Sequence, residues 1–376
     1  MSDVFHVTYL LTLEPGDSPE VHVRALQLEQ SAELPGSVVT SLGMQHVTGS
    51  VTKQEQIGEN RYRVTIAWPS GNHGGEITQF LNVLFGNISL KRGIAITEIR
   101  WEDAAGLFGG PAFGIEGIRR KWGVPERALA CTALKPMGCT TARLADLAYR
   151  FALGGIDIIK DDHGLAGQPS APFPERVRAC VDALDRAAQK TGHRSRYFPN
   201  ITTDPHRVTE RYEQAAELGA DGVLLIPLLT GPALMHNLAR HVTELPIMAH
   251  PAFSGTFVAD VLTNRAGERP HGFEPGLLYG GLMRALGADF TIYPNTSGRF
   301  SFREEECASI NVHARRPDVP FASCFPTPGG GIQRDRMSVW LQLYGRDTTF
   351  LMGGSLFEDP SGIEAASRAF METLGA

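Results

Sequence analysis

The chain has 376 residues, 42% of them hydrophobic and 20% charged, with a formal net charge of -6. That length buries a large core and suits two domains, while the acidic balance and the lack of any Lys/Arg-rich run argue against a nucleic-acid partner. The opening MSDVFHVTYLL has neither a basic n-region nor a small-residue cleavage site, and no apolar run approaches the length needed to span a bilayer, so no membrane association is expected. Five scattered cysteines (Cys131, Cys139, Cys180, Cys307 and Cys324) lack C-x-x-C spacing and read as reduced thiols, which points to the cytoplasm.

In chain order, residues 1–115 mix alternating runs, such as Phe5-His6-Val7-Thr8-Tyr9 and Tyr62-Arg63-Val64-Thr65-Ile66, with a helical stretch around Glu76 to Leu84. This texture predicts a small α+β domain with a half-exposed sheet. The Gly-rich stretch Gly106 to Gly117 then reads as the link to a second domain over residues 116–376. From about residue 128 a cadence sets in: ALACTALKP, GIDIIKDD, RYFPNITT, DGVLLIPLL, LPIMAHPAF, ADFTIYPN, FASCFPTPGG and TTFLMGGSLF. Amphipathic patterns lie between them, for example Pro174 to Gln189, Arg207 to Leu218 and Pro275 to Leu286. Eight strand–helix units in about 250 residues match a (β/α)8 barrel, and no G-x-G-x-x-G follows the first strand to favour an open doubly wound sheet.

The stretch GGIDIIKDDH, Gly154 to His163, is the most telling. Its β-branched run ends abruptly in Lys160, Asp161, Asp162 and His163, as a buried strand does where it leaves a barrel. Alone, such a cluster is an ordinary return to solvent; the other strand exits raise its interest. In a barrel they face one mouth, and they carry Lys135, Asn200, Thr202, His250, Asn295, Gly329 to Gly331, and Gly353-Gly354. Glycines after strands seven and eight let backbone N–H groups approach a phosphate. The tryptophans Trp68, Trp101, Trp122 and Trp340 read as packing, and Glu304 to Glu306 as the acidic first turn of a helix.

Taken together, Leu134-Lys135-Pro136, GGIDIIKDDH, Asn200-Ile201-Thr202, Gly86-Asn87, IRWEDAAG, PTPGGG and MGGSLF resemble the ribulose-1,5-bisphosphate carboxylase superfamily over most of the chain. The resemblance implies a ferredoxin-like N-terminal domain before the barrel. It also implies a Lys160 carbamylated by CO2, Mg2+ held by that carbamate and Asp162, and a Lys135 that moves protons on the substrate. Asn87 and Glu29 match residues that close the site from a partner subunit, so a homodimer with shared active sites is implied.

Departures from the family pattern narrow the reading further. The usual K-P-K-x-G has contracted to Lys135-Pro136-Met137-Gly138, and His163 stands where a glutamate is usual. After strand five, His250-Pro251-Ala252 replaces H-R-x, removing an arginine that grips one substrate phosphate. Arg299 is the nearest candidate for the missing lysine of the sixth loop, and Gly329 replaces a serine in the seventh. The chain therefore resembles the RuBisCO-like proteins, which share the scaffold and enolate chemistry without carboxylating ribulose bisphosphate, and one phosphate site rather than two is expected. Imidazole at position 163 suits Mn2+ and other divalent metals better than Mg2+, or serves as acid or base outside the coordination sphere. Three readings stay open. The first is isomerisation or enolisation of a phosphorylated ketose, such as 5-methylthioribulose 1-phosphate or its diketone relative. The others are decarboxylation, transcarboxylation or hydrolysis of a 3-oxo sugar-acid phosphate such as 3-oxo-isoapionate 4-phosphate, and non-catalytic binding of a sugar phosphate.

Overall fold

The alternating run at the N-terminus forms β1 (Val4–Thr12), whose inner residues are nearly all buried. Ser18 caps the helix that follows, Pro19–Glu29, by accepting from the Val21 amide, with Pro19 in the first turn where its missing N–H costs nothing. Strands β2 (Ser50–Gly58) and β3 (Arg61–Pro69), the helix Ile77–Phe85 and β4 (Ile94–Ile99) complete a β-α-β-β-α-β unit of sheet order β4-β1-β3-β2, the ferredoxin-like topology. Every residue of edge strand β2 is exposed. This computed structural model describes all residues except 1, 125, 243, 264–267, 297, 301 and 376.

The chain divides into two units, and the first takes in residues 254–278 and 317–320 as well as 1–109. A two-residue strand from the former segment, β10 (Gly272–Phe273), pairs in parallel with β4. The reason is burial. Leu10 and Ala95 sit on sheet strands and pack with Ala259 and Val261, so that segment covers apolar surface the sheet would otherwise leave bare.

The second unit holds eight parallel strands: β5 (Leu129–Leu134), β6 (Ile158–Asp161), β7 (Arg196–Phe198), β8 (Val223–Leu225), β9 (Ile247–Ala249), β11 (Phe290–Pro294), β12 (Phe325–Gly329) and β13 (Thr349–Leu351). Each falls within one of the eight expected runs. Their order is β7-β6-β5-β13-β12-β11-β9-β8, and a parallel bridge between Asn200 and Leu224 joins the two ends, closing the barrel. Helices form over Phe173–Thr191 and Val208–Glu217, as expected. The stretch read as a helix from Pro275 instead winds as a π-helix over Gly276–Leu282 before an α-helical turn at Met283–Ala285. Aromatic rings fill the barrel: Phe290 stacks on Phe325 at 5.2 Å and on Trp122 at 5.8 Å, and meets Phe198 edge-on. All five cysteines are free, and no described helix is long and apolar enough to cross a membrane.

Phe290→Ala is expected to lower stability by about 3–5 kcal/mol through the cavity it leaves, measured by urea denaturation. A loss no larger than that of Phe300→Ala, whose ring is 75% exposed, would contradict this packing.

Candidate functional site

Four residues at the end of β6 organise the site. Lys160 is 1% exposed, and its Nζ donates to the carbonyl of Asp161 at 3.1 Å. Burial pulls its pKa below the ordinary lysine value; nearby Lys135 adds to this, while Cys131, Asp162 and Asp161 oppose it. Burial likewise pushes the neighbouring Cys131 thiol up to about 12, leaving it inert.

Next along the chain, Asp162 stands at the edge of solvent. Burial raises its pKa, but the hydrogen bond from His163 and the charges of Lys160 and Lys135 outweigh that and hold it well below the usual carboxylate range. Because a carboxylate only accepts, the 3.1 Å contact between Asp162 Oδ1 and His163 Nδ1 puts the proton on Nδ1 and leaves Nε2 open. The His163 ring is half-exposed and stacks on His250 at 4.6 Å with an interplanar angle of 20°.

His250 follows β9, whose exit brings it to the same place. The Ala252 amide donates to its Nδ1 at 3.1 Å, so the neutral ring carries its proton on Nε2. Burial, with Lys160, His163 and Lys135 close by, drives its pKa well below 6.5, against the pull of Asp162. Lys135, just past β5, reaches over Gly353, where a Cβ would lie 3.7 Å from its Nζ. Thus Lys135, Lys160, Asp162, His163 and His250 share one site.

The glycines after β12 and β13 differ in what keeps them free of a side chain. Gly330 and Gly331 adopt φ of +81° and +74°, a region costly for any residue with a side chain. Gly329 has a packing reason as well: a Cβ there would sit 2.9 Å from Leu351 on β13. Gly354 begins the short helix Gly354–Glu358. Asn295 is fully buried, its Oδ1 accepting from Tyr344 at 2.6 Å and its Nδ2 without a partner among the described residues. Arg299 is exposed beside Phe300, with its guanidinium 5.9 Å from that ring. In the first unit, Asn87 Nδ2 donates to Glu29 Oε1 at 3.1 Å, so these two distant residues form a pair.

Asn200 turns out to be committed elsewhere. It is buried, and its Nδ2 donates to the carbonyls of His163 and Leu165 at 3.0 and 2.8 Å. The sequence singled out Asp161 without a role and did not single out Arg176 or Tyr197, yet the three form a buried network: Asp161 accepts from Arg176 Nε at 3.0 Å and from the Tyr197 hydroxyl at 2.7 Å. Alternation along β6 was the available signal, since a carboxylate next to an inward Lys160 must face the helix layer and needs a partner there. Among the described residues no three His, Cys, Asp or Glu side chains form a ready-made metal site. A cation here would depend on an oxygen donor made from Lys160.

Comparison with known proteins agrees with this fold. Residues 114–299 match the model of the ribulose bisphosphate carboxylase large chain, catalytic domain. The chain is 37% identical over 358 residues to ribulose bisphosphate carboxylase-like protein 1 of Rhodopseudomonas palustris, covering 95% of this chain and 93% of the relative. It is 33% identical to 5-methylthioribulose-1-phosphate isomerase of Rhodospirillum rubrum, covering 100% and 97%. With 2,3-diketo-5-methylthiopentyl-1-phosphate enolase of Geobacillus thermodenitrificans it shares 32% identity, covering 94% and 84%. A crystal structure of a Rubisco-like protein from Rhodopseudomonas palustris superimposes with a TM-score of 0.86 at 32% identity, covering 100% of this chain and 98% of that one.

His250 is expected to keep the neutral Nε2–H form from pH 8 down through 6.5, read from its nitrogen shifts by NMR; protonation near 6.5 would contradict the site's geometry. An unfolded histidine takes up its proton near 6.5. The folded pKa lies lower, so this group's contribution to stability is full above about 6.5 and falls away as pH drops below it.

Proposed function

The chain belongs to the ribulose bisphosphate carboxylase large-chain family as a RuBisCO-like protein, and from that premise we propose that it isomerises or enolises a phosphorylated ketose. The substrate is 5-methylthioribulose 1-phosphate or the related 2,3-diketo-5-methylthiopentyl 1-phosphate, compounds in the names of relatives that span nearly the whole chain. The observation that carries the reading is the buried Lys160 amine, biased towards its neutral form beside an ionised Asp162, with Lys135 close by. A neutral amine can add to CO2 and lose a proton, becoming a carbamate; that turns a side chain useless to a hard cation into an oxygen donor.

The Lys160 carbamate and Asp162 would hold a divalent cation; His163 would join them, favouring Mn2+ or a similar ion alongside Mg2+, only with its ring turned from the present Nδ1–Asp162 contact, which aims Nε2 away from that carboxylate. Such an ion would polarise the substrate carbonyl and make the neighbouring C–H more acidic. Lys135 takes and returns the proton. His250, held neutral with Nε2–H outward from Ala252, donates to the oxygen on which negative charge develops. The amides around Gly329 to Gly331 and Gly353-Gly354 hold one phosphate. With no arginine after His250 in the sequence to hold a second, the far end of the substrate is apolar. Asn295 and Arg299 lie along the same exits and contact the substrate there.

The active unit is a homodimer in which the Glu29–Asn87 pair of each protomer closes the partner's site. The enzyme works in the cytoplasm, where its five unpaired thiols stay reduced.

The decisive experiment is NMR in D2O with Mn2+ or Mg2+, bicarbonate and a panel of ketose monophosphates and 3-oxo sugar-acid phosphates. Deuterium is expected beside the carbonyl with every carbon retained. Release of CO2 would replace this reading with a decarboxylase, and no turnover of any panel member would leave a binding protein. Lys135→Met should slow exchange by about 10²–10⁴-fold, and Lys160→Met should abolish the bicarbonate requirement along with activity. Mixing Asn87→Ala with Lys160→Met protomers should restore activity that neither has alone; failure to do so would count against shared sites.

A further inference from the structure

Asn200, Asp161 and Arg176 form a device that we propose positions the Lys160–Asp162–His163 cluster, so that Asn200 acts on the loop and does not contact substrate. The inference rests on the cation reading above and adds residues to it.

The loop after β6 has no regular structure from Asp162 to Pro172, yet it must present two side chains accurately. Four of its carbonyls are gripped from outside. Asn200 holds those of His163 and Leu165; Arg176 holds those of Ala166 and Ala171, through Nη2 at 2.8 Å and Nη1 at 2.6 Å. The two grips meet at Asp161. Its Oδ2 accepts from Arg176 Nε and from the backbone N–H of Asn200, both at 3.0 Å, and its Oδ1 accepts from the Tyr197 hydroxyl. Its backbone carbonyl receives the Lys160 amine. The backbone of β6, the exit of β7 and the first turn of the helix Phe173–Thr191 are thereby tied to one carboxylate.

Two features argue that this network serves placement. Arg176 sits in the first turn of its helix, where the macrodipole disfavours a cation. Both Arg176 and Asp161 are fully buried, and a buried ion pair of this kind is commonly no more stabilising than apolar packing of the same volume. What it supplies is direction: a planar fork that fixes two carbonyls and a carboxylate at once. Asn200 is equally committed. Both amide hydrogens go to loop carbonyls, and Oδ1 accepts from the Thr202 amide at 3.0 Å, leaving no hydrogen for a ligand.

The test compares wild type, Asn200→Ala and Arg176→Lys, each checked for a cooperative melt. Mn2+ binding in bicarbonate is followed by electron paramagnetic resonance, amide exchange is measured across residues 162–171, and KM for the ketose phosphate is taken at saturating Mn2+. Outer-shell partners of metal ligands typically contribute about 10–100-fold to metal affinity. Asn200→Ala should therefore weaken Mn2+ binding by about that factor and speed loop exchange, with KM unchanged. Arg176→Lys keeps the charge but loses the fork, and should fall between the two. Equal Mn2+ affinity in wild type and Asn200→Ala, or a raised KM with metal affinity intact, would overturn the positioning role alone. A wild type that takes up no Mn2+ in bicarbonate would sink the cation reading, and this proposal with it.

Discussion

Burying an amine is the constraint around which the site is built. Lys160 lies near the end of its strand inside an apolar barrel at 1% exposure, where an ammonium is poorly solvated and burial lowers the amine's pKa. Desolvation that would be a defect in a structural lysine is, at this strand end, what sets Lys160 apart from an exposed amine. The neighbouring groups follow from the same requirement. Asp162 faces outward, ionised, and its proximity keeps the burial of Lys160 from being prohibitive. Asp161, next in line, cannot share that environment, and turns to a guanidinium in the helix layer.

Placement of the remaining groups is a consequence of barrel closure. Parallel strands bring residues 135, 160 and 250 to a common end although they lie far apart in the chain. The stacked rings of Trp122, Phe290 and Phe325, with Phe198 edge-on to them, fill the barrel's interior. Gly353 illustrates the economy of space, since Lys135 crosses directly over it. The paired imidazoles of His163 and His250 are held in different tautomers by different partners, a carboxylate for one and a backbone amide for the other. Two identical side chains thereby become chemically distinct, one with an open acceptor nitrogen and one presenting a donor.

The first unit shows how far the same logic extends. Its sheet is built from local β-α-β-β-α-β order, but one face is covered by a segment that comes from between the fifth and sixth barrel strands. The pairing of Glu29 with Asn87 across that unit brings together residues from a helix end and a later turn.

Local chemistry made much of this legible in the sequence. The eight apolar runs all became barrel strands because a buried parallel strand reads as a continuous hydrophobic stretch. The charged exit at Lys160 to His163 stood out by contrast with that stretch, and Glu304 to Glu306 were readable as a helix start because the dipole favours acids there. Other features depended on partners far away in the chain. Nothing local distinguishes Gly272-Phe273 as a strand of the other sheet, since its register exists only against Ala95 and Ile96. Asn200 carries a polar side chain at a strand exit, which suits a ligand contact equally well; only the folded loop, offering His163 and Leu165 carbonyls, decides where its hydrogens go. The sequence by itself determined which residue types stand at each exit, because strand period and burial are written in neighbouring side chains. Tertiary structure alone decided which of them face each other, because a hydrogen bond in a dry interior is assigned by whatever donor or acceptor packing brings within 3 Å.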